Sequence, residues 1–435
     1  MRVAVLGAGI SGLATGRFLQ EGGADVHLFE AGEEVGGLCR SATVRGFTYD
    51  LAGGHILFSR EKWVRDFVVE ALGGPAAVVP SVRNTKIRIG DRFVHYPFEN
   101  GLGDLPASLN AECLQGYVEA HLERRRGAPP PGNFRDWILW KFGPGIARAF
   151  MLPYNEKLWK RDLREITSAW VEGRVPDAPL ADVLKGSVGL RTEGYTHQMH
   201  FHYPRRGGFG AIPRAVGAPV LDRVRLRTPV RSVERAGGEF LVNGERFERV
   251  VNTLPLMELA KACPQLSPGA RGAIERLRWN SLTTVLIGLR RPDAPPYSWV
   301  YLPDPEHGPA NRITFFSNYS PENAPPGHTS ILAEVTHAGP PPDDPSLVAR
   351  VVEGLATAGL LRPEEIVATA SSRVPFAYIV FDHEFDSKIA AALEGVGALG
   401  LHTVGRFGRF EYINSDQCIL RARQVADELL GLGPP

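Results

Sequence analysis

Short apolar runs alternating with stretches of helical spacing set the organisation of this chain. Arg2-Val-Ala-Val-Leu6 reads as a buried strand. It is followed by Gly7-Ala-Gly-Ile-Ser-Gly12, then by apolar positions at helical spacing that stop near Gly22-Gly23, then by a second strand run from Asp25 to Glu30. Strand, glycine turn, helix and strand in that order make a βαβ start. Between 101 and 195 apolar residues recur at helical spacing, Trp137, Trp140, Trp159 and Trp170 among them, which predicts a helical insertion. Segments 82–98, 297–319 and 363–380 are rich in β-branched and aromatic residues with turn punctuation and predict a second sheet. Residues 224–253 read as β-hairpins ending in Val250-Val-Asn-Thr-Leu-Pro255, and 404–430 closes on a helix. The domains are therefore built from discontinuous pieces.

Length and charge narrow the partners. The 435 residues exceed the roughly 250–300 that one core supports, so two or three domains and a deep cleft are expected. A net charge of +1 gives no electrostatic reason to expect nucleic acid or an acidic membrane surface, and points to a small molecule instead. Cys39, Cys113, Cys263 and Cys418 are far apart with no C-x-x-C pair, so no metal site and no redox dithiol is expected. No apolar run approaches the ~18 residues of a membrane span, and a strand begins directly after Met1. A cytoplasmic protein with reduced thiols is the expectation.

Each glycine of the first turn has a physical task. Gly7 permits the tight turn, Gly9 lets a pyrophosphate approach the backbone, and Gly12 lets helix and strand pack closely. The helix N-terminus, with Ser11 in it, supplies amide donors to the anion, and Glu30 ends the second strand where a ribose diol would sit. A second pair, Gly36-Gly37, with Leu38, favours FAD over NAD, because flavoproteins resembling this chain pass that backbone against the flavin diphosphate. Tyr49-Asp-Leu-Ala-Gly-Gly54-His55 sits where such enzymes bring a loop to the isoalloxazine ring, and Gly405-Arg406-Phe-Gly408 precedes the last helix. The expected fold class is α/β: an FAD-binding Rossmann-like domain of the two-dinucleotide-fold flavoprotein type, a helical insertion domain and a second antiparallel sheet domain. Residues 1–80, 200–290 and 395–435 are assigned to the FAD domain, 101–199 to the insertion, and 81–100 with 291–394 to a substrate-binding sheet.

Five further stretches carry a more specific likeness. They are Gly53-Gly-His-Ile-Leu-Phe-Ser59; Tyr96-Pro-Phe-Glu-Asn100; Pro153-Tyr-Asn-Glu-Lys-Leu-Trp159 with Trp170-Val-Glu-Gly-Arg-Val175; Arg312-Ile-Thr-Phe-Phe-Ser-Asn-Tyr-Ser-Pro321; and Gly405-Arg-Phe-Gly-Arg-Phe-Glu-Tyr412 with Asp416-Gln417. With these the chain resembles the UDP-galactopyranose mutases, nearest their fungal and protozoan branch. The resemblance implies interconversion of pyranose and furanose forms of a nucleotide-linked hexose, with attack of reduced-flavin N5 on the anomeric carbon and no net redox change. It implies FAD contacts from Val230, Arg406, Asp416 and Gln417 besides the residues above, and admits NADPH as reductant. It places Arg312, Tyr301, Tyr378 and Tyr412 on the diphosphate, and Arg174 between sugar and phosphate. Phe150, Tyr154 and Asn155 would form the nucleoside wall with Tyr96 and Glu99, while Trp159 and Gln198 fall near the sugar. His55, Arg174 and Arg312 are the catalytic candidates.

Two other readings stay open: an FAD-dependent oxidase or desaturase of the amine oxidase or protoporphyrinogen oxidase type, and a catalytically silent nucleotide-sugar or flavin binder. An oxidase would want an apolar tunnel rather than an arginine and tyrosine set. A silent binder would be expected to lack Arg174, Arg312 or His55. The chain also departs from the fungal pattern. Ala52 lengthens the 49–60 loop, Arg60 replaces a histidine, and Glu99 replaces a glutamine beside the base. A carboxylate only accepts hydrogen bonds, so the identity of the base is open. The fungal oligomeric state does not carry over to this shorter chain, and homo-oligomerisation stays open.

Overall fold

A computed structural model describes residues 1–171, 175, 178–192 and 199–432. Val3 to Leu6 are fully buried and pair in parallel on both sides, with Asp25–Phe29 and with Arg249–Asn252. A strand covered on both faces needs a continuous apolar run, which is what the first residues supply. His402–Thr403 and Val224–Arg225 complete a five-stranded parallel sheet. The helix Ile10–Glu21 and the closing helix Ser415–Leu429 share one core on this sheet. On its other side lie the antiparallel meander Val233–Ala236, Glu239–Val242 and Glu245–Phe247 and the helices Leu256–Ala262 and Pro268–Glu275.

The second sheet has seven strands, in the order Ile366–Val380, Arg278–Leu289, Thr329–Ala338, Arg312–Phe315, Trp299–Tyr301, Thr85–Ile89 and Arg92–His95. Neighbours are antiparallel except Trp299–Tyr301 beside Thr85–Ile89. The boundary expected at 290 moves back, because Arg278–Leu289 pairs along its length with both Thr329–Ala338 and Ile366–Val380. Its last ten residues are all buried, so it shows no alternation by which to recognise a sheet strand. The boundary at 394 moves too. The helix Phe385–Ala398 packs on Pro268–Glu275 so closely that a Cβ at Gly395 would lie 2.2 Å from Ala270 Cβ.

Helices Ala107–Arg125, Phe134–Ile146, Leu152–Trp159 and Leu180–Ser187 form the insertion. Gly143, at φ +72°, breaks the second of these and presses on Gly116, whose carbonyl oxygen would be 2.1 Å from an added Cβ. The core around Phe98, Phe134, Phe150 and Trp159 continues into Ile87 and Val380 of the second sheet. The insertion therefore leans on the sheet edge that carries Tyr301. Among the described residues no helix is long and apolar enough to cross a membrane, and no His, Cys, Asp or Glu cluster could hold a metal. All four cysteines are free and buried.

Candidate active site

The glycine turn forms a cradle that only missing side chains allow. A Cβ on Gly12 would stand 2.0 Å from the Gly7 carbonyl oxygen, and one on Gly37 would stand 3.1 Å from Gly9 Cα. Gly36 N–H donates to Ala8 O at 2.8 Å, which brings the two glycine segments side by side. The helix Ile10–Glu21 starts at Gly9 with no side-chain cap and no acid in its first turn, so its amide dipoles stay available to an anion. Glu30 accepts from Ala8 N–H at 2.9 Å and Gly32 N–H at 2.8 Å, so it ties the turn together and keeps lone pairs for a ribose diol. Leu38 and Val230 are half-buried against one core cluster. Gly405, at φ +101°, faces Ser11, whose Oγ would be 2.9 Å from an added Cβ. Asp416 is buried in the first turn of the closing helix, beside Gln417. These residues fit FAD. Arg406 forms no surface ion pair among the described residues: its guanidinium donates to Ile413 O and Ala377 O and stacks 4.2 Å over Tyr412.

Strand register builds the second half of the site. Tyr301 lies opposite Arg312, and Arg312 opposite Glu334, so three side chains line up across one face of the second sheet. Arg312 Nε and Nη2 both donate to Glu334 Oε1, at 3.0 and 2.6 Å, and Tyr378 OH donates to Oε2 at 3.3 Å. Glu334 is fully enclosed. Burial opposes the charge on Arg312, but Glu334 and the surrounding Tyr378, Tyr301 and Tyr154 outweigh it and hold the guanidinium well above its usual range. Burial also raises the three tyrosines, so their hydroxyls remain protonated donors.

The 49–55 loop lies flat on this row. Thr284 Oγ1 donates to Leu51 O at 3.0 Å, and Gly54 N–H donates to Glu334 Oε1 at 3.2 Å. Side chains at 53 and 54 would meet Glu334 and Thr314 at 3.0 and 2.6 Å, so the glycine pair is what admits the contact. His55 follows, its ring stacked on Phe209 at 5.1 Å and 24°. Burial, with the charges of Arg312 and Arg406, pushes its pKa down to about 4, so the imidazole is neutral. Beneath it Asp50 is fully buried and accepts from Ser41 Oγ, Tyr203 OH, Phe209 N–H and His55 N–H. Burial, opposed by those four bonds, pushes its pKa up to about 7.

An aromatic wall joins the insertion to the row. Phe98 stacks on Phe150 at 5.2 Å, Phe150 on Tyr154 at 5.4 Å, and Tyr154 meets Tyr301 edge-on at 5.0 Å, with Tyr96 5.6 Å from Tyr301. His55, Arg312, Tyr154, Tyr301, Tyr378, Tyr412 and Arg406 thus converge. Four candidates are more enclosed than expected. Glu99, Phe150, Asn155 and Trp159 are 4, 5, 6 and 1% exposed, Asn155 Nδ2 turns back to Met151 O at 2.7 Å, and Trp159 sits against Trp170 at 5.3 Å. Arg174 and Gln198 lie outside the described residues. A cleft of about 610 Å³ lined by Lys157, Lys160 and Arg350 includes none of the candidates.

A family model of flavin containing amine oxidoreductases matches residues 10–385. The chain belongs to that family. Among solved structures, a reduced UDP-galactopyranose mutase superposes with a TM-score of 0.91 at 28% identity, covering 100% of this chain and 96% of the other. A putative protoporphyrinogen oxidase from Exiguobacterium sp. 255-15 shares the fold, with a TM-score of 0.73 at 18% identity and coverage of 99% and 98%. Among curated proteins, flavin-containing amine oxidase A of Sus scrofa is 25% identical over 323 residues, 66% of this chain and 56% of its own length. Hydroxysqualene dehydroxylase of Sinorhizobium fredii is 37% identical over 79 residues, 18% of each chain. The chain thus spans about half of the first of these two curated relatives and about a fifth of the second. It is an FAD flavoprotein with the architecture of UDP-galactopyranose mutase.

Within this member of the flavin containing amine oxidoreductase family, two residues central to the geometry were given no role by the sequence, although Asp50 lies in the quoted Tyr49–His55 stretch. Glu334 and Asp50 are absent from the sequence candidates. The available signal was a lone acid in a buried run: Glu334 within Thr-Ser-Ile-Leu-Ala-Glu-Val, and Asp50 after Phe-Thr-Tyr. An unpaired buried carboxylate is costly, so such an acid implies a partner. The sequence leaves the partner unnamed.

Proposed function

We propose that this flavoprotein is a nucleotide-sugar mutase that interconverts the pyranose and furanose forms of a nucleoside-diphosphate hexose, UDP-galactose by default. The observation that carries the reading is the Tyr301–Arg312–Glu334 row with Tyr378, set beneath the loop expected to face the flavin. It is a polar floor bearing a guanidinium and hydroxyls where an oxidase would need apolar walls. Full-length likeness to a UDP-galactopyranose mutase supports the same reading.

Reduced FAD, when bound, supplies an electron-rich ring nitrogen as nucleophile, with no net electron transfer. The chain supplies the rest. Arg312, held in place by its two bonds to Glu334, keeps further N–H donors for the departing diphosphate, protonated Tyr301 adds a hydroxyl donor, Tyr378 braces Glu334 from its other oxygen, and Tyr412 lies beside them. Tyr154 and Tyr96 offer aromatic surface to the base, with Phe150 packed behind Tyr154 as its support. Neutral His55 follows the glycine pair of this loop and offers a ring nitrogen at its open edge as a hydrogen-bonding partner. Arg174, Gln198 and the use of NADPH as reductant belong to the same proposal.

The test is direct. Protein reduced with dithionite and offered UDP-, GDP- and dTDP-hexoses should release a furanose product from at least one of them. No furanose from any donor, together with oxidation of amines or of protoporphyrinogen-like substrates, would replace this reading with the oxidase one that the family match also accommodates.

A further inference from the structure

We propose that Asp50 is a positioning residue for the flavin-facing turn: it fixes the place, the ring plane and the tautomer of His55, so that the imidazole keeps its hydrogen on Nδ1 and presents a lone pair at its open edge. The inference rests on the turn facing FAD and not on the mutase reading.

One carboxylate holds both halves of a stacked pair. His55 N–H donates to Asp50 Oδ2 at 3.3 Å, and Phe209 N–H donates to Oδ1 at 2.9 Å. The ring of Phe209 is the platform on which the imidazole lies, 5.1 Å away and tilted by 24°. Ring and platform are therefore registered through a shared acceptor. The carboxylate is itself immobilised. Ser41 Oγ accepts from Gly210 N–H at 2.8 Å, which commits its own hydrogen to Asp50 Oδ1 at 2.6 Å, and Tyr203 OH donates to the same oxygen at 2.9 Å. Among the described residues no lysine or arginine pairs with Asp50. A fully buried carboxylate with donors from four segments and no such cation has a positional role, since ion pairing does not explain it.

The tautomer follows from the same geometry. His55 Nδ1 is enclosed with no hydrogen-bond partner and lies 3.8 Å from Asp50 Oδ2, in electrostatic reach but beyond a hydrogen bond, while 27% of the side chain stays open. A carboxylate oxygen 3.8 Å from Nδ1 favours a hydrogen on that nitrogen once Asp50 is ionised. Nε2 then carries the lone pair, and it belongs to the open edge. A lone pair accepts a hydrogen bond from a donor in the cleft. A ring with that nitrogen protonated would repel the donor.

Long-range nitrogen–proton NMR of histidine-labelled, FAD-loaded protein tests this near pH 8, above the point where the carboxylate ionises. Wild type should show His55 Nδ1–H with Nε2 unprotonated. An Nε2–H wild type overturns the proposal whatever the variants do. Asp50→Asn should lose the dominant Nδ1–H form and drop kcat roughly a hundredfold with little change in KM, as expected when a reacting group is displaced. Tyr203→Phe keeps the charge beside the ring and should keep the Nδ1–H form. Loss of that form in both variants would assign the effect to general loosening of the turn and sink the proposal, as would an Asp50→Asn spectrum like the wild type. The readout is spectroscopic, so an enzyme that makes no furanose leaves this test intact.

Discussion

At the scale of single residues, the site rests on two buried carboxylates with opposite electrostatics. Glu334 is paired with Arg312, so Arg312→Ala would strand an enclosed charge, which costs about 3–5 kcal/mol. That variant alone would mix stability with function. The double variant Arg312→Met with Glu334→Gln should keep its melting temperature close to wild type and lose roughly ten- to a hundredfold in kcat/KM, the loss of one charge-assisted phosphate bond. Activity retained in the double variant would place the diphosphate elsewhere. Among the described residues Asp50 has donors but no lysine or arginine partner, and its effect on stability runs the other way. Folded, it keeps its proton up to about pH 7, whereas the unfolded chain releases it near 3.8. Between those values the native state holds more protons, so this group's contribution falls as pH rises. His55 shows the converse: its pKa of about 4 in the fold lies below 6.5 unfolded, so its contribution is present above 6.5 and lost as pH falls through 4. The two slopes oppose each other between pH 4 and 6.5. Relative to wild type, Asp50→Asn should therefore gain stability from pH 4 to 7 with a slope of about one proton, measured as urea midpoints. A flat difference profile would mean that Asp50 titrates alike in both states.

At the scale of elements, the glycine turn separates packing from binding. A Cβ on Gly12 meets backbone at 2.0 Å and no rotamer relieves it, whereas a Cβ on Gly9 has nothing nearer than Gly37 Cα at 3.8 Å. Gly12→Ala should therefore lower the melting temperature of the flavin-free protein and lose flavin. Gly9→Ala should melt like wild type and still purify with little flavin, because its methyl would occupy only the space of the pyrophosphate. Full flavin content in Gly9→Ala would show that the diphosphate does not approach that backbone. The contrast also explains what the sequence made legible. Turn, helix and Glu30 are consecutive, so local spacing encodes them, as it does the insertion through its tryptophans. Glu334 acquires meaning only from the register of Arg312–Phe315 on Thr329–Ala338, and Asp50 only from contact with Tyr203 and Phe209 more than 150 residues on. The 278–289 strand was missed for a related reason: burial on both faces erases the alternation that announces a strand.

At the scale of the whole molecule, the fold leaves two chemistries in contention, because the same architecture serves a UDP-galactopyranose mutase and a protoporphyrinogen oxidase-like protein. They differ in electron balance. An oxidase consumes one acceptor per product, whereas a mutase needs its flavin reduced and returns it unchanged. The second sheet supports the mutase expectation proposed above. Its seven strands carry a charged floor to the edge of the insertion, and stabilising a departing diphosphate is of use only where an anomeric bond breaks. With oxygen excluded, a single stoichiometric reduction should therefore support many turnovers of nucleotide sugar, while air oxidation should stop them and a second reduction restore them. Turnover that draws oxygen or reductant in step with each product would give the site to the oxidases, and the Arg312–Glu334 row would then be a structural brace between sheet and loop.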